Sequence, residues 1–378
     1  PRIWWPNGMG QPALYPAVIT FHDKKGETFD REDLMFGFRE TGSYFDDSTG
    51  ARIFTINGQK LFVRGANWIA SDGMLRLSQS RYDAEVKMHA EMNINMIRVW
   101  GGSITERPEF YDACDRNGIL VWQDLWITGD CNGRWRDTVR KADSQEVRRR
   151  YPDDDSLFLR SVEDQIRMLR NHPSLYLICG GNEFPPPEGL DTLIPKRLQE
   201  LDGSRIYLDE STSASLTRNT IGGTADGPYN IREPLWFFNQ KWHPFNPEIG
   251  SVGFPNIESL RKMMDEKDLQ IPAGREVNEV WRYHKFMGYD GMIEKLGEPR
   301  DIADYARKAQ LLNYEQYRAM VEGYSSHMWD WYTGFLVWKS QNPWPALKGQ
   351  FYDWFLDQNG GFYGFRHGAA PVHLMFNP

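Results

Sequence analysis

The stretch Leu175-Tyr-Leu-Ile-Cys-Gly-Gly-Asn182-Glu183 decides how this chain is read. A mostly apolar run passes into two glycines and then an Asn-Glu pair. A short apolar run bounded by turn residues is the pattern of a strand buried on both faces, as in a parallel sheet. A glutamate at the end of such a strand lies at the rim of a core, where loops and chemistry collect. In an isolated turn the same residue would be an ordinary surface carboxylate, so its meaning depends on what flanks it.

From Leu61 onward, strand and helix patterns alternate. Candidate strands are Leu61–Trp68, Met96–Gly101, Leu120–Leu125, Leu175–Gly180, Arg205–Asp209, Phe245–Gly250 and Gly334–Lys339. Between them, Ser80 is expected to cap a helix over Tyr82–Met92, Thr105 one over Glu106–Arg116, and Asp155 one over Leu157–Arg170. Ile302–Gly323 reads as a long amphipathic helix. With an eighth strand near Gly222–Tyr229, the pattern implies an α/β fold of the (β/α)8 TIM-barrel kind rather than an open doubly wound sheet. Met264–Pro299 is the largest insertion and is expected to form a rim over the site. The cluster Arg148-Arg-Arg-Tyr-Pro-Asp-Asp-Asp155 reads as a solvated loop.

Residues 1–53 read differently. Leu14–Phe21 and Leu34–Glu40 are strand-like around a turn at Lys24–Glu27, and Asn57-Gly58 sits at the tip of a hairpin over Ile53–Val63. So few strands cannot close a sandwich, and the segment is expected to be the tail of a larger β-domain, ahead of a barrel over 54–378. The chain opens on Pro1 without a starting Met, which is the expectation for a fragment or processed subunit.

Composition narrows the partners. The 378 residues carry a net charge of −8 with scattered acidic residues, so neither nucleic acid nor an anionic membrane is expected as a partner. No apolar run approaches membrane-spanning length. The 15 Trp, 17 Tyr and 21 Phe supply flat faces suited to stacking on sugar rings, although large barrels also use aromatics as packing. Cys114, Cys131 and Cys179 are odd in number and form no CxxC, which excludes a disulfide framework. The eight histidines form no HExxH or HxH group, so no metal or other cofactor is expected.

In a barrel, catalytic residues sit at the C-terminal strand ends. Those ends here are Asn67-Trp68 followed by Asp72, Arg98-Val-Trp100, Asp124 with Trp126, Asn182-Glu183, Asn246-Pro-Glu248, and Trp338. Two glutamates among amides and aromatics are what glycoside hydrolysis uses: one carboxyl protonated to donate to the leaving oxygen, the other ionised to attack or to activate water. Asp124 is read either as a site residue or as a turn cap, and Trp126 as a sugar platform or as packing. Arg98 inside an apolar strand must face a carboxylate, because an unpaired buried charge costs several kcal/mol. Glu248 is the economical partner, and the pairing is expected to hold its pKa low.

Several stretches carry a family resemblance: Trp4-Trp5-Pro-Asn-Gly8, Phe62-Val-Arg-Gly-Ala-Asn-Trp68, Asn95-Met-Ile-Arg-Val-Trp-Gly-Gly102, Gly118-Ile-Leu-Val-Trp-Gln-Asp124 and Gly180-Gly-Asn-Glu183. With them the chain resembles glycoside hydrolase family 2. Asn246-Pro-Glu-Ile-Gly-Ser-Val-Gly253, Lys308-Ala-Gln-Leu-Leu-Asn-Tyr314, Trp338-Lys-Ser-Gln-Asn-Pro-Trp344 and Gly349-Gln-Phe-Tyr-Asp353 resemble the plant-type endo-β-mannosidases of that family.

The resemblance implies a retaining hydrolase of β-mannosidic bonds of the Manβ1-4GlcNAc type. Glu183 would be its acid/base and Glu248 its nucleophile. Asn182 would bind the sugar 2-hydroxyl, Arg98 would support the nucleophile, Asp72 would hold hydroxyls on the far side of the ring, and Trp338 would form its floor. Trp100, Trp126 and Tyr229 are weaker carry-overs as substrate-binding residues. The resemblance also implies that residues 1–53 end an immunoglobulin-like β-sandwich, that other family domains or subunits lie outside this chain, and that the partner is an oligosaccharide or glycan. A periplasmic, secreted or vacuolar or lysosome-like compartment is favoured over the cytoplasm. The loop Asn132–Asp155 is longer and more basic than the resemblance leads one to expect. The alternatives are an exo-β-glucosaminidase of the same family, for which Asp rather than Glu is expected at the acid position, and a carbohydrate-binding protein that has lost activity.

Overall fold

The computed structural model describes residues 1–128, 152–183, 185–212, 216–217, 226–274 and 276–377. Most of the loop Asn132–Asp155 and the start of the strand expected near Gly222–Tyr229 lie outside the described residues, as does Cys131. The chain begins with a two-stranded antiparallel ribbon, β1 (Tyr15–His22) and β2 (Thr28–Phe36). The second strand starts earlier than its apolar residues indicate, because Tyr15 pairs with Phe36 and the register runs back through a charged stretch to the turn. The ribbon leaves Val18, Ile19, Phe21, Phe29 and Met35 exposed.

A three-stranded antiparallel sheet follows: β3 (Thr41–Phe45), β4 (Arg52–Ile56) and β5 (Gln59–Leu61). Asn57 and Gly58 both take positive φ, 51° and 76°, as a two-residue hairpin of the twist-matching kind requires. The turn fixes which residues of β4 point inward. Phe54, Ile56 and Leu61, with Trp4 and Ala51, pack under the barrel strands against Val63, Met96, Leu120, Trp122, Leu177, Leu208, Phe245 and Leu336. Phe54 meets the rings of Tyr176 and Phe245 edge-on, each at 5.5 Å.

Among the described residues seven parallel strands form the main sheet: β6 (Val63–Trp68), β7 (Met96–Val99), β8 (Leu120–Asp124), β9 (Leu175–Cys179), β10 (Ile206–Leu208), β11 (Phe245–Ile249) and β12 (Gly334–Val337). Their order, β10-β9-β8-β7-β6-β12-β11, is that of a barrel in which the last strand pairs with the first. The expected eighth position lies between β10 and β11. Among the described residues it is marked by a parallel bridge from Asp226 to Glu248. Side chains alternate across the sheet. Met96, Leu120, Trp122 and Leu336 join the interior, while Ile97, Val99, Val121, Phe335 and Val337 face the surrounding helices.

Among the described residues the helices are α1 (Gln79–Glu91), α2 (Pro108–Asn117), α3 (Asp155–Leu169), α4 (Glu188–Leu201), α5 (Trp236–Asn239), α6 (Ile257–Met263), α7 (Glu279–Tyr283), α8 (Ile302–Ser326) and α9 (Gly360–Gly368). The first three do not start where Ser80, Thr105 and Asp155 indicated. Ser78 caps α1 by accepting from the Arg81 N–H, and Asp154 caps α3 through the Leu157 N–H. In α2 the first position is Pro108, whose missing N–H costs nothing there. The insertion Met264–Pro299 builds a satellite core, with Trp281, Tyr289 and Ile293 around Phe254 and Tyr305 of α8. It is tied to the loop after β12, where the Leu347 N–H donates to the His284 carbonyl at 2.7 Å and the His284 ring stacks on Trp344.

Truncating Phe54 would open a cavity between the hairpin and the barrel floor. Phe54→Ala is expected to destabilise the protein by about 3–5 kcal/mol, read as a lower urea midpoint. An unchanged midpoint would show that the hairpin is not part of the barrel core.

Candidate active site

Alternation along β7 turns Arg98 inward one layer above Met96, and the barrel meets this cation with polar groups from four other strands or strand ends. Arg98 Nη2 donates to Asp124 Oδ2 at 2.8 Å and to Asn182 Oδ1 at 2.6 Å. Its Nη1 donates to Glu248 Oε1 at 2.8 Å and to Asn67 Oδ1 at 3.1 Å, and its Nε reaches Asp124 Oδ2 at 3.1 Å. Burial disfavours the charge, but Asp124 and Glu248 outweigh it and lift the guanidinium above its ordinary value. Arg98 therefore stays charged.

Asp124 is a structural member of the site rather than a turn cap. It also accepts from the Trp122 indole N–H at 2.8 Å and the Gly101 N–H at 3.1 Å. Glu248 is one of two carboxylate partners, and its proton affinity runs opposite to expectation. Burial raises its pKa more than Arg98 and the Tyr229 hydroxyl lower it, and Asp226 adds to the rise.

Glu248 reaches the interior through an irregularity in β11. Asn246 pairs with Phe335 but Ile249 with Val337, so β11 carries one residue more than β12 over that interval. The extra residue re-aims the strand end, as bulges beside functional sites do. The Glu248 N–H is held by Asn246 Oδ1 at 3.0 Å, and Tyr229 donates its hydroxyl to Glu248 Oε2 at 3.0 Å. Burial, then the carboxylates of Glu248 and Asp226, push the Tyr229 hydroxyl far up, so it remains a donor.

Asn182 and Glu183 leave β9 in succession. Asn182 is fixed by Arg98, by its N–H to the Ile127 carbonyl at 2.8 Å, and by its side-chain amide to Thr128 Oγ1 at 3.0 Å. Glu183 sits in the left-handed region at φ 59°, an uncommon conformation for a residue with a Cβ, and its N–H donates to Ser211 Oγ at 3.2 Å. One carboxylate oxygen from each of Glu183, Asp226 and Glu248 lies within 4.8 Å of the others.

The aromatic candidates divide. Trp338 follows β12, donates its N–H to the Ile249 carbonyl at 2.7 Å, and meets Trp100 edge-on at 5.3 Å. Gly102 has no room for a Cβ, which would lie 2.0 Å from the Trp100 ring. Trp126 packs edge-on against Phe158 of α3 at 5.8 Å. Trp68 turns outward into the helix layer, fully buried, with its indole N–H on Glu106. Asp72 lies on the loop after β6, accepting from the Met74 N–H at 2.7 Å and Arg76 Nε at 3.0 Å. Burial pushes Asp72 up, but these hydrogen bonds and the Arg76 charge hold it below the usual carboxylate range. That loop joins the one after β12 through the Gly73 N–H and the Pro343 carbonyl. Asn67 was read only as a strand end and Asp226 only as part of the expected eighth strand, neither with a role of its own; an inward cation on a neighbouring strand was the available signal for Asn67.

Two family models cover more than half of the chain. Glycosyl hydrolases family 2 matches residues 1–39, and the TIM barrel domain of the same family matches residues 49–224. The chain belongs to glycosyl hydrolases family 2. The ribbon β1–β2 accordingly belongs to the immunoglobulin-like sandwich ahead of this family's barrel. Over its full length the chain is 43% identical to the mannosylglycoprotein endo-β-mannosidase of Lilium longiflorum, of which it covers 43%. It is 27% identical to the exo-β-D-glucosaminidase of Amycolatopsis orientalis, of which it covers 37%. The solved exo-chitosanase of Amycolatopsis orientalis superposes on all of the chain with a TM-score of 0.81 at 24% identity, with 45% of that chain covered, which shows the family 2 fold. The chain thus spans about two-fifths of the length of these curated relatives.

Replacing Arg98 by Met would leave Asp124 and Glu248 buried without a counter-charge. Arg98→Met is expected to cost about 3–5 kcal/mol of stability by urea unfolding. A loss below about 1 kcal/mol would mean that the two carboxylates are not held by this cation.

Proposed function

We propose that this chain carries the catalytic barrel of a retaining hydrolase of β-mannosidic bonds, of the Manβ1-4GlcNAc type. The observation that carries the reading is the approach of the Glu183 and Glu248 carboxylates to within 4.8 Å, with Glu248 on a buried guanidinium. Retaining enzymes hold their two carboxyl groups about 5–5.5 Å apart, whereas inverting ones leave about 6.5–9.5 Å for a water. The choice of sugar rests on the likeness to the endo-β-mannosidase of Lilium longiflorum.

In the first step Glu248 attacks the anomeric carbon while Glu183 gives its proton to the departing glycosidic oxygen. Arg98 and the Tyr229 hydroxyl favour the ionised form of Glu248 before attack, and Arg98 fixes its direction. In the second step Glu183 takes a proton from water, which displaces Glu248 and releases the sugar. Asn182, oriented through its own oxygen by Arg98 and anchored to Thr128, lies beside Glu183 to bind a sugar hydroxyl. Trp338 and Trp100 form the apolar wall, and Asp72 a more distant hydroxyl acceptor.

A second reading has support from the site. Three converging carboxylates would also suit a sugar bearing an ammonium group, as the likeness to exo-β-D-glucosaminidases invites. A panel of 4-nitrophenyl β-glycosides and a reduced N-glycan core separates the two. Release from β-mannoside or the glycan core is expected; preferential release from β-glucosaminide would overturn the mannosidase reading. No turnover of any β-glycoside by the intact protein would leave a carbohydrate-binding protein.

Glu248→Gln is expected to abolish turnover, because an amide forms no glycosyl-enzyme ester. Glu183→Ala should spare activated nitrophenyl substrates far more than natural ones, and equal loss on both would remove Glu183 from the acid role. Tyr229→Phe deletes a hydrogen bond that favours ionised Glu248. The pKa of Glu248 then rises further, and the acid limb of the pH profile of kcat/KM should move to higher pH. A limb that stays in place would contradict this.

A further inference from the structure

Asp226 has no part in the double displacement described above. It lies where the chain re-enters the barrel ahead of β11, and its backbone bridges in parallel to Glu248. Its half-buried carboxylate comes within 4.8 Å of both glutamates. Other groups face this cluster. Tyr229 stands on the same segment with its hydroxyl on Glu248 Oε2. Arg98 of β7 reaches Glu248 Oε1 and has Asp124 behind it. His243, at the entry to β11, feels the Asp226 charge, although burial pushes its imidazole down to about 4.

Among the described residues the guanidinium at this point, that of Arg98, is directed at Glu248, Asp124 and two amides. Among the described residues no cation pairs with Asp226, so its charge is felt by the carboxylates beside it. Like charges at this range oppose one another's ionisation, as in other carboxylate pairs forced together.

We propose that Asp226 is an electrostatic positioning residue: its charge keeps the proton on Glu183 and sets the pH window in which one glutamate is protonated and the other ionised. The proposal rests on the roles given above to Glu183 and Glu248. An acid/base must hold its proton at the working pH until the leaving oxygen claims it. Glu248 supplies one negative charge toward that end, but its Oε1 is held on the Arg98 guanidinium. Asp226 supplies a second. The cost falls on Glu248, whose ionisation Asp226 also opposes, and Arg98 with Tyr229 offsets it. Because the two glutamates are coupled, the limbs of the profile belong to the cluster rather than to single residues.

The test is Asp226→Asn in the intact protein, a change that keeps the shape and the backbone bridge. Two readouts are needed: the pH profile of kcat/KM on 4-nitrophenyl β-mannoside, and carboxyl 13C NMR titration of glutamate-labelled protein without substrate. Both limbs should move to lower pH by about one pH unit, and the Glu183 and Glu248 resonances should titrate correspondingly lower. Asp226→Glu, which keeps the charge, should stay near the wild-type positions. A rise in KM with unmoved limbs and unmoved resonances would make Asp226 a substrate contact and overturn the proposal. If wild type hydrolyses no β-mannoside, the proposed function fails, and the 13C titrations alone still decide whether Asp226 holds the protons on these glutamates.

Discussion

One buried guanidinium organises the polar half of this barrel. Arg98 stands on a strand whose other residues are apolar, and it is completely shielded from solvent. Such a charge is tolerated only with close partners and satisfied donors. The barrel supplies both by closing around it: Asn67 from β6, Asp124 from β8, Asn182 from the end of β9 and Glu248 from β11 all accept from Arg98. A change in the position of any of these strands would leave a buried donor or carboxylate unpaired. The requirement of the charge and the geometry of the site are therefore the same constraint.

The layers below make that constraint affordable. Apolar side chains fill the lower interior, and the Asn57-Gly58 hairpin seals it from beneath with Phe54. Above this dry floor the interior turns polar within one alternation of β7, from Met96 to Arg98. The bulge in β11 turns Glu248 toward the guanidinium, and the left-handed backbone of Glu183 is held beside Ser211. Rigid elements thus present two glutamates in different surroundings. Glu248 is buried on a cation and a phenol, whereas Glu183 is partly open beside Asp226 and Glu248. That asymmetry is what a division into nucleophile and acid/base needs.

The barrel strands were legible because a parallel barrel buries both faces and leaves apolar runs, and all seven described strands of the parallel sheet fall within the expected segments. Helix starts were less so: Ser78 and Ser80 look alike in sequence, and only the chain's approach to α1 selects the first. Arg98 announced that a carboxylate must face it, but charge alone could not say that Asp124 shares it with Glu248. Nor could it say that burial would outweigh the ion pair at Glu248. Trp68 ends a strand as site residues do, yet the pleat turns it outward. Asp226 fell on the expected eighth strand but was given no role in the site, because only closure of the barrel brings its carboxylate to the glutamates.

In the proposed reaction Glu248, held on Arg98 beside Glu183, attacks the sugar itself. The stereochemistry of the first-formed product tests it most directly. Hydrolysis of a β-mannoside followed by proton NMR, faster than mutarotation, should show β-mannose appearing first and the α-anomer only later. The α-anomer appearing first would mean that water, not Glu248, attacks the anomeric carbon, and would contradict this account of the site.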